Sequence, residues 1–169
     1  MTKVIHILPY HSPCGTILLG ALGSRLCMAD WPVEPHHSQV CRRLQKTLRA
    51  EFQQTPSDIL LRAAGQLDEF FARRRRVFDM PLLLAGTDFQ KSVWARLLEI
   101  PYGTTVSYTD LARLIGRPEA VRAVARAVGA NSLSVFVPCH RVIGAGGAMT
   151  GYAGGLDAKR TLLQIEHTP

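Results

Sequence analysis

The chain has no apolar run approaching the roughly 20 residues that a bilayer-crossing helix requires, which argues against a membrane protein. Its opening stretch, MTKVIHILPYHSP, lacks the long apolar core and cleavage pattern of a secretory signal, so a cytoplasmic protein is expected. Cysteine is sparse. Cys14, Cys27, Cys41 and Cys139 are irregularly spaced with no CxxC pair, which argues against a disulfide scaffold and suits a reducing compartment where a reactive thiol survives. Internal repeats and low-complexity linkers are absent, so nothing points to a solenoid, a fibre or a disordered tail. Acidic residues are in deficit, 13 Asp and Glu against 20 Lys and Arg, for a net charge of +7. The excess is shared between residues 1–85 and 86–169, at +4 and +3. Basicity of this kind suits a polyanionic partner without specifying one.

What is present is a globular composition, 47% hydrophobic over 169 residues, enough for one large domain or two small ones. Residues 4–8, 15–21 and 25–31 read as three short strands joined by turns at SPCG (12–15) and Gly23-Ser24, an antiparallel meander. A helix is expected from His36 to Phe52, with Val40, Leu44, Leu48 and Phe52 on one face, and a second capped by Ser57. Residues 77–84 read as a returning strand. In the second half, Thr87 and Gln90 are spaced for a capping box, as are Ser107 and Asp110. The latter opens a helix from Tyr108 to Ile115. Gly116 and Pro118 end it, and a helix from Glu119 to Val128 follows, the pattern of a helix-turn-helix or of any helical hairpin.

Chemistry concentrates in SVFVPCHRVIGAGG, residues 134–147. Ser134 to Val137 read as a buried strand that Pro138 must end, so Cys139 is expected at an exposed but rigid strand end. His140 and Arg141 place an imidazole and a permanent cation beside the sulfur, a setting that favours a nucleophilic thiol. A cysteine in an apolar run is also compatible with inert core packing. In the 119–128 helix, Arg122 and Arg126 lie one turn apart on a face lined by the small residues Ala123 and Ala127, with Ala125 beside them. Small residues allow close backbone approach, and few long polar side chains are available to read base edges, so non-specific DNA docking is expected. The run Arg73–Arg76 reads as a solvated face with phosphate contact as the alternative.

PCHRVIG, together with MTGYAGG (149–155), GTDFQKSVW (86–94), IPYGTTVSYTDLA (100–112) and VRAVARAVGAN (121–131), resembles the O6-alkylguanine-DNA alkyltransferases, or methylated-DNA–protein-cysteine methyltransferases. The likeness runs through about half of the chain. It implies an α/β (α+β) fold, with a ribonuclease-H-like α/β domain over 1–85. A mostly helical domain over 86–169 would carry DNA binding and alkyl transfer. It further implies single-turnover transfer of an alkyl group from guanine O6 to Cys139. His140 would act as base, Glu166 would orient the imidazole, Tyr108 would donate to the leaving guanine, and Asn131 would brace the segment leading to the active site. Double-stranded DNA would be bound through the minor groove by Tyr108, Arg122, Ala123, Ala125, Arg126, Ala127 and Arg141. Arg122 would fill the gap left by the flipped nucleotide, and the protein would act as a monomer or clustered on DNA. Ser134, Val142, Tyr152, Ala153 and Gly154 would form the pocket, with backbone carbonyls of Cys139 and Val142 meeting the base.

Zinc-binding relatives use positions that here hold Lys3, Leu22 and Cys27, so no metal is expected, and no cofactor. The chain departs from the resembled pattern at Asn131-Ser132 and Thr87-Asp88, where proline is usual second, and at Ser134, a wall position that is proline in some relatives. Three other readings stay open. A cysteine hydrolase would turn over and need an oxyanion hole. A lesion binder would lack the cysteine. A helix-turn-helix regulator would footprint a specific sequence.

Overall fold

The computed structural model describes residues 2–167. The N-terminal meander forms β1 (Lys3–Ser12), β2 (Gly15–Leu22) and β3 (Arg25–Asp30), paired antiparallel through the two expected turns. Alternation along β1 and β2 puts Ile5, Ile17 and Leu19 into the interior at 0% exposure. Helix α1 (His36–Leu48) stops earlier than its periodicity predicts, because Arg49 takes a left-handed conformation at φ 52°. The residues expected to continue it form β4 (Ala50–Gln53), parallel to β1 with Phe52 opposite Ile5. Phe52 is therefore a strand residue. The resulting order, β3-β2-β1-β4, with an antiparallel meander and a helical crossover to one parallel strand, is the ribonuclease-H-like arrangement.

Helix α2 (Asp58–Phe71) packs Leu60, Ala63, Leu67 and Phe70 on the sheet. Ser57 stands at its cap position, but its hydroxyl makes no capping hydrogen bond. The strand expected over 77–84 is reduced to one bridge, Leu26 to Leu82, held by Leu26 N–H to Pro81 O and Leu83 N–H to Leu26 O. Pro81 has no N–H to extend a ladder. The rest of the exposed edge of β3 is taken by the segment before the active site. There, Ala29 N–H donates to Ser132 O and Ser134 N–H to Ala29 O, each at 2.8 Å.

Helix α3 (Asp88–Leu97) carries the full Thr87–Gln90 capping box. Ser107 accepts from the Asp110 N–H to start α4 (Tyr108–Leu114), but the Asp110 carboxylate pairs with Arg113 and does not reach back. Gly116, at φ 77°, turns the chain into α5 (Val121–Gly129), and α6 (Leu156–His167) carries Glu166. One continuous cluster of buried apolar side chains joins Leu19, Leu26 and Phe70 of the first half to Trp94, Val124 and Leu162 of the second. The Arg43 guanidinium reaches across the same boundary, donating to Ala130 O at the end of α5 at 2.5 Å and lying over the Trp94 ring. Among the described residues no helix is long and apolar enough to cross a membrane.

Candidate active site

Residues 134–137 are buried as expected, but they form a tight turn and not a strand. The Asn131 side chain accounts for the difference. Its Oδ1 accepts from Leu133 N–H at 2.9 Å and its Nδ2 donates to Val137 O at 3.0 Å, so side-chain bonds replace ladder bonds on both sides of the turn. Val135 is held at φ 74°, a conformation rare for a β-branched residue, inside a fully packed surround. Cys139 then opens a short 3-10 turn through His140 and Arg141. It is 7% exposed, less open than a strand end would be.

His140 is completely buried. Its Nε2 lies 2.9 Å from Glu166 Oε1, a contact made by α6 coming back 26 residues later. Burial by itself would raise the Glu166 carboxyl, but hydrogen bonds and positive charge from His140 and Arg141 outweigh it and hold the group at about 2. An ionised carboxylate only accepts, so the His140 Nε2 carries the proton and Nδ1 is the free lone pair. That Nδ1 is buried and has no partner among the described residues. Burial keeps the imidazole pKa low against the pull of Glu166, and burial pushes the Cys139 thiol up against Asn131, Lys159 and Ser134, which favour thiolate. The resting pair is a neutral thiol and a neutral base.

Arg141 was expected to face DNA and the sulfur, and the structure corrects this. Its guanidinium turns inward at 7% exposure, donating to both Glu166 oxygens through Nε and to Oε1 through Nη2 at 2.6 Å, with Nη1 on Ile100 O at 2.7 Å. Every face of the fork is occupied, so it serves to hold Glu166. Ala127 is corrected likewise. It lies on the core side of α5 at 3% exposure, its carbonyl accepting from Trp94 Nε1.

Of the expected residues, Tyr108, Ala125, Asn131, Ser134, Tyr152 and Ala153 converge on Cys139, and Val142 and Gly154 do not line the same cavity. A cavity of about 230 Å³ has Cys139 in its wall with Asn131, Ser134, Tyr152 and Ala153, and is closed on the α4–α5 side by Tyr108, Ala125 and Val128. Thr150 Oγ1 donates to the Tyr108 hydroxyl at 3.3 Å, leaving the Tyr108 proton free to donate. Gly154 lies behind this wall against the Trp31 indole, where an added Cβ would come within 2.6 Å of ring carbon. Val142 is fully buried, and its carbonyl points to Lys159. On the outer face of α5, Arg122 and Arg126 are exposed, Ala123 is half-buried, and neither arginine has a protein partner among the described residues. Several other basic side chains are engaged, Arg117 with Glu119, Arg75 with Glu69 and Arg76 over the Tyr102 ring.

Two residues of the site were not anticipated. Lys159 is fully buried on α6, with Nζ bonded to Val142 O at 2.7 Å and Thr150 O at 2.9 Å and with no carboxylate partner among the described residues. Burial lowers its pKa, and the nearby Cys139 sulfur counters that. In sequence it is one lysine on an amphipathic helix, and nothing marks it. Trp31 follows β3 and packs edge-on against Tyr152 at 5.9 Å between ring centroids. It comes from the other half of the chain, where local pattern shows only a core aromatic.

Residues 88–168 match the family model of the 6-O-methylguanine DNA methyltransferase DNA-binding domain. The methylated-DNA–protein-cysteine methyltransferase of Mycobacterium tuberculosis is 42% identical over 166 residues, covering 96% of this chain and 93% of the relative. The constitutive Bacillus subtilis enzyme of that name is 50% identical over 117 residues, covering 69% of this chain and 70% of the relative. The crystal structure of Mycobacterium tuberculosis OGT in complex with DNA superposes with a TM-score of 0.82 at 40% identity, covering 97% of this chain and 92% of that one. At 22% identity, the Pyrococcus kodakaraensis O6-methylguanine-DNA methyltransferase shares the fold with a TM-score of 0.68, covering 97% of this chain and 99% of that one. With a buried cysteine in a pocket beside a helix-turn-helix, and relatives matched over nearly its whole length, the chain belongs to the methylated-DNA–protein-cysteine methyltransferases.

Proposed function

We propose that this protein repairs DNA by direct reversal, taking the alkyl group from O6-alkylguanine onto its own Cys139 in a single turnover. The observation that carries this reading is the position of Cys139 in a cavity walled by the DNA-docking helices, beside a buried His140–Glu166 pair. A cavity of this kind accepts a base only if the nucleotide leaves the stack, as base-modifying enzymes require. Helix α5 presents Arg122 and Arg126, without a partner among the described residues, among small residues to the backbone, and docking in the minor groove with Arg122 in the vacated stack fits that surface. The protein acts as a monomer, one molecule for each lesion.

In the reaction, the thiol proton passes through a water to His140 Nδ1, the lone pair that Glu166 leaves free by holding Nε2–H, and Glu166 balances the imidazolium charge. The sulfur attacks the alkyl carbon in line, the S–C bond forms as the C–O6 bond breaks, and the electron pair leaves with guanine. Tyr108 donates to the departing base. The backbone carbonyls of Cys139 and Val142 accept from its exocyclic amine with the lone pair not already used by Val142 N–H or Lys159 Nζ. The product is a neutral thioether with no hydrolytic exit, unlike the activated thioester of a cysteine hydrolase.

Incubation with excess O6-methylguanine duplex and intact-mass measurement tests this. One methyl per molecule on Cys139, a product plateau at one equivalent, and no transfer by Cys139→Ser with duplex binding retained are expected. Product continuing past one equivalent overturns the mechanism.

A further inference from the structure

A second series of cysteine, imidazole and carboxylate lies in the N-terminal half, and the transfer at Cys139 does not use it. Asp30, the last residue of β3, has a side chain that is 0% exposed. Its Oδ2 accepts from His37 Nδ1 at 2.8 Å, and its Oδ1 accepts from His36 Nε2 at 3.0 Å. His37 stands in the first turn of α1, and Cys41 follows one turn later on the same face. The Cys41 sulfur lies 3.5 Å from His37 Nε2. Because a carboxylate only accepts, Nδ1 carries the ring proton, and the Nε2 lone pair is what faces the thiol. Tying the end of β3 to the start of α1 needs only the two imidazole N–H groups. It does not call for a thiol at the far nitrogen of His37.

Thiol, imidazole and orienting carboxylate form the sequence of groups by which enzymes activate a cysteine. Cys41 is half-buried and not sealed, and the His37 side chain beside it is 18% exposed. Burial and the carboxylates of Asp30 and Glu34 push the Cys41 thiol up, so the resting sulfur keeps its proton and reacts only with a base at hand. His37 is that base. The remaining cysteines of this half are placed differently. Cys27 is fully buried, and burial pushes its thiol up to about 12. Cys14 is half-buried like Cys41, but the side chains acting on its thiol are the hydroxyls of Thr161 and Ser12.

We propose that Cys41 is a modification site for hydrogen peroxide, with His37 as its acid–base partner and Asp30 as the group that orients the imidazole. The Cys41 proton passes to His37 Nε2 as the sulfur attacks one peroxide oxygen. The S–O bond forms, the O–O bond breaks, and the departing hydroxide takes the proton back from Nε2 and leaves as water. Sulfur is oxidised by two electrons, the peroxide is reduced, and the imidazole ends as it began. The product is a sulfenic acid, which thiols reduce. Peroxide suits this site on two counts. It is small and uncharged, so it can approach a half-buried sulfur flanked by two carboxylates, and its leaving group needs the proton that the imidazole has just received. The proposal is independent of the chemistry at Cys139.

The test exposes the intact protein to hydrogen peroxide, traps sulfenic acid with dimedone and reads each cysteine by peptide mass spectrometry, with iodoacetamide labelling in parallel. Cys41 should be trapped about tenfold or more faster than Cys14, because a positioned acid–base group is commonly worth at least that much. Dithiothreitol added before dimedone should abolish the label. His37→Gln should slow Cys41 oxidation about tenfold or more and leave Cys14 unchanged. Asp30→Asn, which keeps the shape and removes the charge, should slow it in the same direction with Cys27 still unreactive. A merely structural role for His37 has the opposite signature, since a loosened fold speeds both Cys41 and the buried Cys27. Equal rates for Cys41 and Cys14 in the wild type overturn the proposal, as does a His37→Gln protein whose Cys41 reacts as fast or faster. If Cys41 outpaces Cys14 with iodoacetamide but not with peroxide, the peroxide assignment is wrong.

Discussion

Glu166→Gln keeps the shape of the side chain and removes its charge, and its cost can be reached by two routes. In the folded protein the Arg141 guanidinium and the His140 imidazole both depend on this carboxylate, and its side chain is 0% exposed. Removing one partner from a buried ion pair leaves the other charge stranded, at a typical cost of about 3–5 kcal/mol. The second route is titration. A carboxyl held at about 2 against an ordinary 4.5 contributes on the order of 3 kcal/mol at neutral pH, at about 1.4 kcal/mol for each pH unit. Because the folded value lies below the unfolded one, the contribution is complete above 4.5 and is lost as pH falls towards 2. Urea unfolding from neutral pH downwards reads both. With a slope of about 1–3 kcal/mol/M, the wild-type midpoint at neutral pH should exceed that of Glu166→Gln by roughly 1–3 M, and the gap should close progressively through the acid window. Adding Arg141→Met to Glu166→Gln should restore part of the loss, since the stranded cation is then gone. Midpoints that coincide at neutral pH, or a gap that persists unchanged to pH 2, would refute the account of Glu166 as the anion on which His140 and Arg141 depend.

Arg122→Ala should slow repair in duplex DNA at least about tenfold more than reaction with free O6-alkylguanine base, because the side chain supports the flipped state and not the bond change; equal losses on both substrates would sink the role. Binding to undamaged duplex should fall steeply with salt and show little sequence preference, as phosphate-dominated docking requires, and a flat salt response in a fluorescence titration would contradict it. Lys159→Met removes a cation that favours the Cys139 thiolate and leaves the Val142 and Thr150 carbonyls without their donor. The pH midpoint for Cys139 reaction with iodoacetamide should move up and stability should drop by about 1–3 kcal/mol; an unmoved midpoint would confine Lys159 to a packing role.

The Thr87–Gln90 cap and the turn at Gly116 were legible in the sequence because each depends on residues within one turn of each other. So was the adjacency of Cys139 and His140, which is covalent. Local pattern misjudged the segments whose backbone bonds are satisfied from a distance or by a side chain. Residues 50–53 left the helix for a place beside β1, 77–84 met an edge at which Pro81 allows one bridge only, and 134–137 turned because Asn131 supplies bonds that a neighbouring strand would otherwise make. Charge misled in the same way. Arg141 reads as a cation beside a thiol, but only packing decides that Glu166 and Ile100 O take every face of its guanidinium. Chain order alone therefore determined the cysteine, the histidine beside it and the basic helix, since these are residue types at short spacing. The tertiary structure decided which of them are buried, which charges are already paired, that Trp31 of one half packs on Tyr152 of the other, and that Lys159 comes near the Cys139 sulfur, because desolvation and long-range contact exist only once the chain has packed.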